Sequence, residues 1–262
     1  MKQICITGYN SFIGKNFYKK YKKSLKISPY KNNINNLNAI KKFIKNKKIT
    51  HFVNFAGLSR LKCETNKIEC INTNYKSIKK IINYLKKLDN KPHFIFISTS
   101  HVYNYSKKKL KETSKIDPKN RYANLKLKSE NYIKKNYKNY TILRLFNVYG
   151  PKQPKSYFIP DMKEKIINDK IINIDKSVRD FIHVSEVSRV IKFVINKKIN
   201  ETLNVGSGKN YSLIKIIKVL SKKINKKPIL KYKNKKTKLV ADISLLKSYG
   251  FKTKINEKYI NF

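Results

Sequence analysis

The sequence is poor in acidic residues, arginine and cysteine, and it contains no long apolar run. Cys5, Cys63 and Cys70 are odd in number and lack a paired C-x-x-C spacing, so we expect neither a disulfide framework nor a zinc site. No stretch approaches the roughly 18 apolar residues that a membrane-spanning helix needs, and the amino-terminal apolar run is too short for a signal peptide. These absences predict a cytoplasmic protein that holds no metal and does not insert into a membrane.

The shortage of acids leaves a formal net charge of +47, from 62 Lys+Arg against 15 Asp+Glu. Such a charge ordinarily suggests nucleic acid or an anionic membrane as a partner. Here lysine supplies nearly all of it, and the lysines are spread over the whole length beside abundant Asn and Ile. We therefore interpret the charge as a bias of composition. We expect no specific nucleic-acid partner, only non-specific binding to polyanions at low salt.

Arginine is rare enough to be informative. A background that uses lysine wherever either residue would serve is expected to keep arginine where a planar, bidentate donor matters. The arginines are Arg60, Arg121, Arg144, Arg179 and Arg189.

Short apolar runs alternate with segments of helical periodicity through the first 150 residues. The runs lie at residues 2–7, 27–29, 49–55, 93–97 and 140–146, and helices are expected between them, for example over 74–88 and 122–135. This alternation predicts an α/β protein with a parallel, doubly wound sheet. After Gly150 the elements become shorter. We expect a smaller lobe over residues 151–262, with a segment at about 176–206 returning to the main sheet.

The stretch HFIFISTSHVYN, residues 93–104, changes from apolar side chains to hydroxyls and a histidine. Its apolar half predicts a strand that is buried on both faces. Ligands bind at the carboxyl ends of strands in open α/β sheets, so Thr99, Ser100 and His101 are candidates for a site. The alternative is a polar strand end that only meets water.

Gly8 and Gly14 lie where the first strand passes into the first helix, with Ser11 midway between them. Glycines at such a junction let the backbone approach a pyrophosphate and let the helix amino terminus bind it. A tight turn with a structural role alone is the alternative.

Tyr122 and Lys126 are four residues apart, so on a helix they share one face. A free tyrosine, with a pKa of about 10, is a poor base at neutral pH, but a nearby ammonium favours the phenolate. A hydroxyl from a neighbouring strand end, Thr99 or Ser100, is placed to hold a substrate alcohol or carbonyl against the tyrosine.

Three further motifs follow: RLFNVYGP at residues 144–151, RDFIHV at 179–184 and LNVGSG at 203–208. With these motifs the chain, from residue 2 to about 215, resembles the extended short-chain dehydrogenase/reductase family. The resemblance is to its NAD-dependent epimerase/dehydratase group, which acts on nucleotide sugars. It implies a Rossmann-like domain over residues 1–150, a substrate-binding lobe beyond it, NAD or NADP as cofactor, and a nucleotide-diphosphate sugar as substrate.

The resemblance also assigns roles to residues of this sequence. Thr99, Tyr122 and Lys126 match the catalytic triad. The positions that match cofactor contacts are Gly8, Ser11, Phe12, Ile13, Gly14, Asn54, Ala56, Gly57 and Asn74, with Tyr122 and Lys126. Ser100, Asn147 and Arg179 are the expected substrate contacts, and the alternative for Arg179 is a surface salt bridge with Asp180.

Related dehydratases carry Asp-Glu after the catalytic threonine, where this chain has Ser100-His101, so dehydration is disfavoured. A nucleotide-sugar epimerase and a 4-ketosugar reductase remain. The compressed region after the second strand favours a reductase, whereas NVYGP and RDFIHV are more typical of epimerases. A non-catalytic NAD(P)-sensing regulator on the same fold is the further alternative.

Three smaller expectations complete the prediction. Residues 27–31 offer no carboxylate for a ribose diol and end in Lys31, so NADP(H) is expected to bind at least as well as NAD(H). His101, two residues beyond Thr99, faces the substrate if the chain stays extended and then relays a proton; the alternative is that it only braces the loop. The apolar faces of the helices beginning at Asn74 and Tyr122 predict a homodimer.

Overall fold

The computed structural model describes residues 2–45 and 47–254. Its strands are β1 (Gln3–Thr7), β2 (Lys26–Pro29), β3 (His51–Asn54), β4 (His93–Thr99), β5 (Tyr140–Leu145), β6 (Asn147–Tyr149), β7 (Ile172–Ile174), β8 (Val178–Arg179), β9 (Phe181–His183), β10 (Thr202–Val205), β11 (Tyr211–Ser212), β12 (Leu230–Tyr232) and β13 (Lys238–Leu239). Its α-helices are α1 (Phe12–Tyr21), α2 (Leu37–Lys45), α3 (Arg60–Thr65), α4 (Lys67–Ile71), α5 (Ser77–Leu85), α6 (Arg121–Asn136), α7 (Phe158–Ile167), α8 (Val184–Lys197), α9 (Leu213–Ile224) and α10 (Ser244–Ser248).

A six-stranded parallel sheet in the order β2-β1-β3-β4-β5-β10 forms the centre of the molecule. The chain runs outward from β1 to β2 and then crosses back to β3 on the other side of β1. The strand order therefore reverses between β1 and β3, and ligands of open α/β sheets bind at such a point. The prediction of a Rossmann-like, doubly wound sheet is confirmed.

Two apolar clusters, one on each face of the sheet, explain why the strands carry apolar side chains on both faces. One cluster joins the sheet to α1 and α8, and the other joins it to α2, α5 and α6. Every residue of β3 and β4 is buried, because helices cover both faces.

The apolar face of α5 packs against the central sheet of the same chain. Ile78, Ile81, Ile82 and Leu85 are all at most 1% exposed and belong to the cluster under the sheet. They were the main reason to expect a two-fold partner on this helix, and that reason is removed by the packing. The homodimer stays a prediction of the resemblance alone.

The elements after residue 150 divide between two locations. Helix α8 and strand β10 pack on the main sheet, whereas α7, α9, β7 and β12 enclose a separate apolar cluster that includes Met162, Ile172 and Leu220. The two locations are joined at β6 and β9, which pair in parallel. Within the described ranges, 2–45 and 47–254, no helix has the length and apolar character required to cross a membrane.

Candidate active site

The turn between β1 and α1 is shaped by its two glycines. Gly8 has a φ of +64°, and a Cβ there would lie 2.4 Å from the Ala56 nitrogen. A Cβ on Gly14 would lie 2.3 Å from the Gly8 oxygen. Ser11 caps α1, its Oγ accepting from the Gly14 N–H at 3.2 Å. Ser11 therefore starts the helix whose amino terminus faces the site.

The loop after β3 is held beside this turn by two asparagines. Asn54 is buried; its Oδ1 accepts from the Thr7 hydroxyl at 2.6 Å and its Nδ2 donates to the Ala56 oxygen at 3.1 Å. Asn74 accepts from the Leu58 N–H at 2.8 Å and lies in a π-helical turn, Asn72–Lys76, directly before α5. Such π turns are rare and occur often at functional sites.

Thr99, Tyr122 and Lys126 come together at the carboxyl end of β4. Asn120 caps α6 and starts the helix so that Tyr122 and Lys126 point to the strand end. The Thr99 side chain lies close enough to the Tyr122 hydroxyl to lower its pKa. The Lys126 ammonium donates to the Ile97 oxygen at 2.8 Å and would lie 3.2 Å from a Cβ placed on Gly57. Gly57 therefore lies next to the amine, and a side chain at this position would crowd both the amine and Asn74.

Burial sets the protonation of this trio. Burial raises the pKa of Tyr122, and nearby Tyr157 raises it further. The Thr99 side chain lowers it. Burial lowers the pKa of Lys126 to about 8, against the attraction of Glu130. Without a ligand, the tyrosine is therefore a phenol at neutral pH.

Ser100 and His101 do not continue the strand. The chain turns at Ser100–Val102 into a short 3₁₀ helix, which the Thr99 hydroxyl caps by accepting from the His101 N–H at 3.2 Å. The expectation that His101 returns to the face of Thr99 assumed an extended chain, so that argument is wrong. Burial, with Arg60 and Arg179 nearby, also lowers the pKa of His101 to about 4, so no titration near neutrality is expected from it.

Asn147 and Arg179, the expected substrate contacts, lie in β6 and β8, and these two strands belong to different small sheets. Asn147 Nδ2 donates to the Asp180 oxygen at 2.9 Å. The Arg179 guanidinium donates to the Thr237 oxygen and Oγ1, at 3.0 and 2.8 Å, and lies over the Tyr105 ring. In the part of the chain that the structure describes, Arg179 makes no ion pair with Asp180.

Asp180 binds backbone N–H groups instead of Arg179. It is fully buried and accepts from the Ser207, Gly208 and Ala241 N–H groups at 2.7, 2.9 and 3.2 Å. These bonds fix the loop after β10 against the strand that carries Arg179 and oppose the rise in pKa that burial causes.

Two features of this site were missed by the sequence reasoning. Tyr157 precedes α7, lies near enough to Tyr122 to raise its pKa, and has its ring 6.4 Å from that of Phe12. It belongs to the lobe whose sequence pattern is weakest. Cys63 and Cys70 form a disulfide, so the expectation of no disulfide is wrong. Spacing in sequence does not show that α3 and α4 bring the two sulfurs together.

The comparisons with known proteins agree with this geometry. Residues 4–206 match the model of the NAD dependent epimerase/dehydratase family. This chain belongs to that family. The family's dependence on NAD confirms that a nicotinamide dinucleotide is the cofactor class to expect.

Individual relatives of this epimerase/dehydratase chain are distant. It is 28% identical over 151 residues to an uncharacterized UDP-glucose epimerase, YtcB, of Bacillus subtilis, covering 54% of this chain and 48% of the relative. It is 30% identical over 144 residues to a dTDP-4-dehydro-6-deoxyglucose reductase of Escherichia coli, covering 51% and 46%. The matched segments therefore span about half the length of these curated relatives.

The fold is shared over nearly the whole chain. The UDP-glucose 4-epimerase of Thermotoga maritima, solved with UDP-glucose, superposes with a TM-score of 0.85 at 21% identity, covering 98% of this chain and 95% of that one.

Proposed function

We propose that this protein is an NAD(P)-dependent nucleotide-sugar epimerase or 4-ketosugar reductase in which Tyr122 is the acid/base. The observation that supports it is that Thr99 lies close enough to Tyr122 to lower the pKa of its hydroxyl, with Lys126 one helical turn further along. The three lie at the carboxyl edge of the sheet, beside the strand-order reversal.

In this proposal the first glycine turn and the loop after β3 hold the dinucleotide. Gly8 and Gly14 let the turn pack closely against Ala56 and against itself, and the Lys126 amine beside Gly57 binds the ribose. The bound nicotinamide supplies or accepts the hydride at a sugar carbon.

The side chains then position the sugar oxygen and move its proton. Thr99 and Tyr122 hydrogen-bond to that oxygen together, and Tyr122 donates its proton when a ketone is reduced and takes one up when an alcohol is oxidised. Because burial keeps Tyr122 a phenol, the protein is poised as a proton donor before substrate binds. Arg179 and Asn147 are placed to meet the diphosphate of the sugar nucleotide.

One experiment separates the two reactions. The purified protein is incubated with UDP-glucose and NAD, and separately with a dTDP-4-keto-6-deoxy sugar and NADPH or NADH. An epimerase forms the C4 epimer, seen by NMR, with no net consumption of cofactor. A reductase oxidises one cofactor per ketosugar reduced. Cofactor binding without turnover in either mixture contradicts this proposal and supports a non-catalytic sensor.

A further inference from the structure

A disulfide lies directly behind the candidate active site. Cys63 in α3 and Cys70 in α4 are bonded to each other, and both are fully buried. The Asn74 Nδ2 lies 3.3 Å from the Cys63 sulfur and 3.6 Å from the Cys70 sulfur. One amide group therefore contacts both halves of the bridge.

The other contacts of that amide lead to the loop proposed to bind cofactor. Asn74 Oδ1 accepts from the Leu58 N–H at 2.8 Å, and Nδ2 donates to the Leu58 oxygen at 3.1 Å. The same Oδ1 would be 3.2 Å from a Cβ on Gly57. Any movement of the sulfurs is passed to Asn74 and from there to the backbone at 57–58.

A second set of contacts leads to the proposed catalytic helix. Arg121, the first residue of α6, donates from Nη1 to the Cys63 oxygen at 3.0 Å. The ring of Tyr122 packs on the apolar cluster formed by Leu125 and the two cysteines. Cys63 is thus bonded to the residue before the proposed acid/base, and the apolar cluster that holds both cysteines contacts the proposed acid/base itself.

The bridge is also what holds its own segment to the protein. Within residues 61–70 only the two cysteines are buried, while Leu61 and Ile68 are 55% and 74% exposed. Helices α3 and α4 have only six and five residues, and most of those residues are exposed. Segments of this kind open locally at low free energy, and opening admits a reductant to the sulfurs.

We propose that Cys63 and Cys70 are a redox switch that controls cofactor affinity through Asn74. A dithiol reductant attacks one sulfur as its thiolate, the bond between the two cysteines breaks, and the leaving thiolate takes up a proton. The second thiol of the reductant, as its thiolate, then attacks the reductant's sulfur in this mixed disulfide and displaces the protein sulfur, which takes up a proton. Two protein thiols and the disulfide form of the reductant result. Two electrons and two protons pass to the protein.

Reduction changes the space that the sulfurs need. Two thiols in contact lie further apart than two bonded sulfurs, and the site around them is close-packed. The extra volume displaces Asn74 or loosens α3, and either change disturbs the loop at 56–58. The oxidised form is therefore the form that binds cofactor tightly. This step rests on the proposed function only in using that loop for the dinucleotide.

The test compares NADH or NADPH binding, followed by fluorescence, in protein equilibrated with reduced or oxidised dithiothreitol. Thiols are counted by alkylation and mass. Reduction is expected to raise the cofactor dissociation constant about fivefold or more, which is the usual size of coupling between two sites. Linkage requires the reverse effect, so saturating cofactor must shift the thiol–disulfide equilibrium toward the disulfide by the same factor.

Variants identify the sulfurs responsible. The double variant Cys63→Ala, Cys70→Ala cannot form the bridge, so its cofactor affinity is expected to be the same in reduced and oxidised dithiothreitol. Cys5→Ala, in which the buried β1 thiol is removed, is expected to keep the full response. If the double variant does not fold, the reciprocal shift in wild-type protein decides the matter.

The outcomes are distinguishable from those that test the proposed function. Equal cofactor affinity in both redox states, or no shift of the equilibrium by cofactor, overturns the switch and leaves the enzymatic proposal standing. Redox-dependent cofactor binding without turnover of any nucleotide sugar supports the switch and overturns the enzymatic proposal.

Discussion

Arg144 and Glu130 form an ion pair in the interior of the protein, with Nη2 2.6 Å from Oε2 and the side chains only 3% and 0% exposed. The Ser98 hydroxyl donates to Glu130 at 2.5 Å, and Arg144 Nη1 donates to the Tyr103 hydroxyl at 2.8 Å. The pair therefore ties the ends of β4 and β5 to α6. Because Glu130 follows Lys126 by one turn, it also fixes the helix that carries the candidate acid/base.

Glu130→Gln is expected to destabilise the protein strongly, because it leaves the Arg144 charge buried without its partner. Removing one member of a buried pair typically costs about 3–5 kcal/mol. The free energy of unfolding in urea measures the effect. Asp161→Asn is the matched control: its ion pair with Lys165 is partly exposed, so a loss below about 1 kcal/mol is expected there. Equal losses in the two variants would contradict a structural role for the buried pair.

Tyr122→Phe is expected to abolish turnover while leaving cofactor affinity nearly unchanged, because only the hydroxyl that carries the proton is lost. Tyr132→Phe is the control, since Tyr132 is on the same helix and its hydroxyl bonds to Asn83. Steady-state rates and cofactor titrations measure both. A Tyr122→Phe rate above about a tenth of wild type, a barrier change under roughly 1.4 kcal/mol, would exclude Tyr122 as the proton donor.

Cofactor affinity is expected to fall as the pH rises above about 8. Burial lowers the pKa of Lys126 to about 8, so above that pH the free protein carries a neutral amine. A bound dinucleotide diphosphate favours the charged form, so binding takes up a proton and weakens as that form is lost. Titrations between pH 7 and pH 9 measure the dependence.

Lys126→Arg provides the control for this pH dependence, because a guanidinium stays charged over the whole range. Its cofactor affinity is expected to be weaker at pH 7, where the geometry is altered, and to lack the decline toward pH 9. A decline of the same size in both proteins would assign the effect to another group.

The order of strands and helices could be read from the sequence because the apolar runs that became β1, β3, β4 and β5 are buried almost throughout. The run beginning at residue 93 became β4, which ends at Thr99, and Thr99 lies close enough to Tyr122 to lower its pKa. Contacts at the carboxyl edge of a parallel sheet follow from the topology, so they can be predicted once the order of strands and helices is known.

The failures have a common physical origin in local chain geometry. His101 left the face of Thr99 because the Thr99 hydroxyl caps a 3₁₀ turn, which competes with strand extension. The cysteines pair because two short helices fold over each other, which their spacing of seven does not encode.

NADP(H) is expected to bind at least as tightly as NAD(H). Strand β2 ends at Pro29, and the residues that follow, buried Tyr30 and exposed Lys31, offer no carboxylate to a ribose diol. Fluorescence titration with NADPH and NADH measures both dissociation constants, and Lys31→Glu is expected to shift the ratio toward NADH. A strong preference of the wild type for NADH would contradict the prediction.

Stability is expected to fall as the pH drops from about 6.5 toward 4, because of His51. His51 and His93 are paired across β3 and β4, fully buried, with their rings 5.9 Å apart. Burial, then His93, Lys2 and Lys198, lower the pKa of His51 to about 4, whereas in the unfolded chain it is about 6.5.

Over that window the unfolded chain binds the proton more readily than the folded protein, so acid favours unfolding. The full shift corresponds to at most roughly 3 kcal/mol from His51. Urea unfolding at pH 7.5, 6 and 5 measures the slope of the unfolding free energy, and His51→Asn is expected to make it shallower. His93 still contributes in that variant, because burial lowers its pKa as well, so the slope decreases without vanishing. An unchanged slope would mean that His51 is protonated equally in both states, against its burial beside a second imidazole.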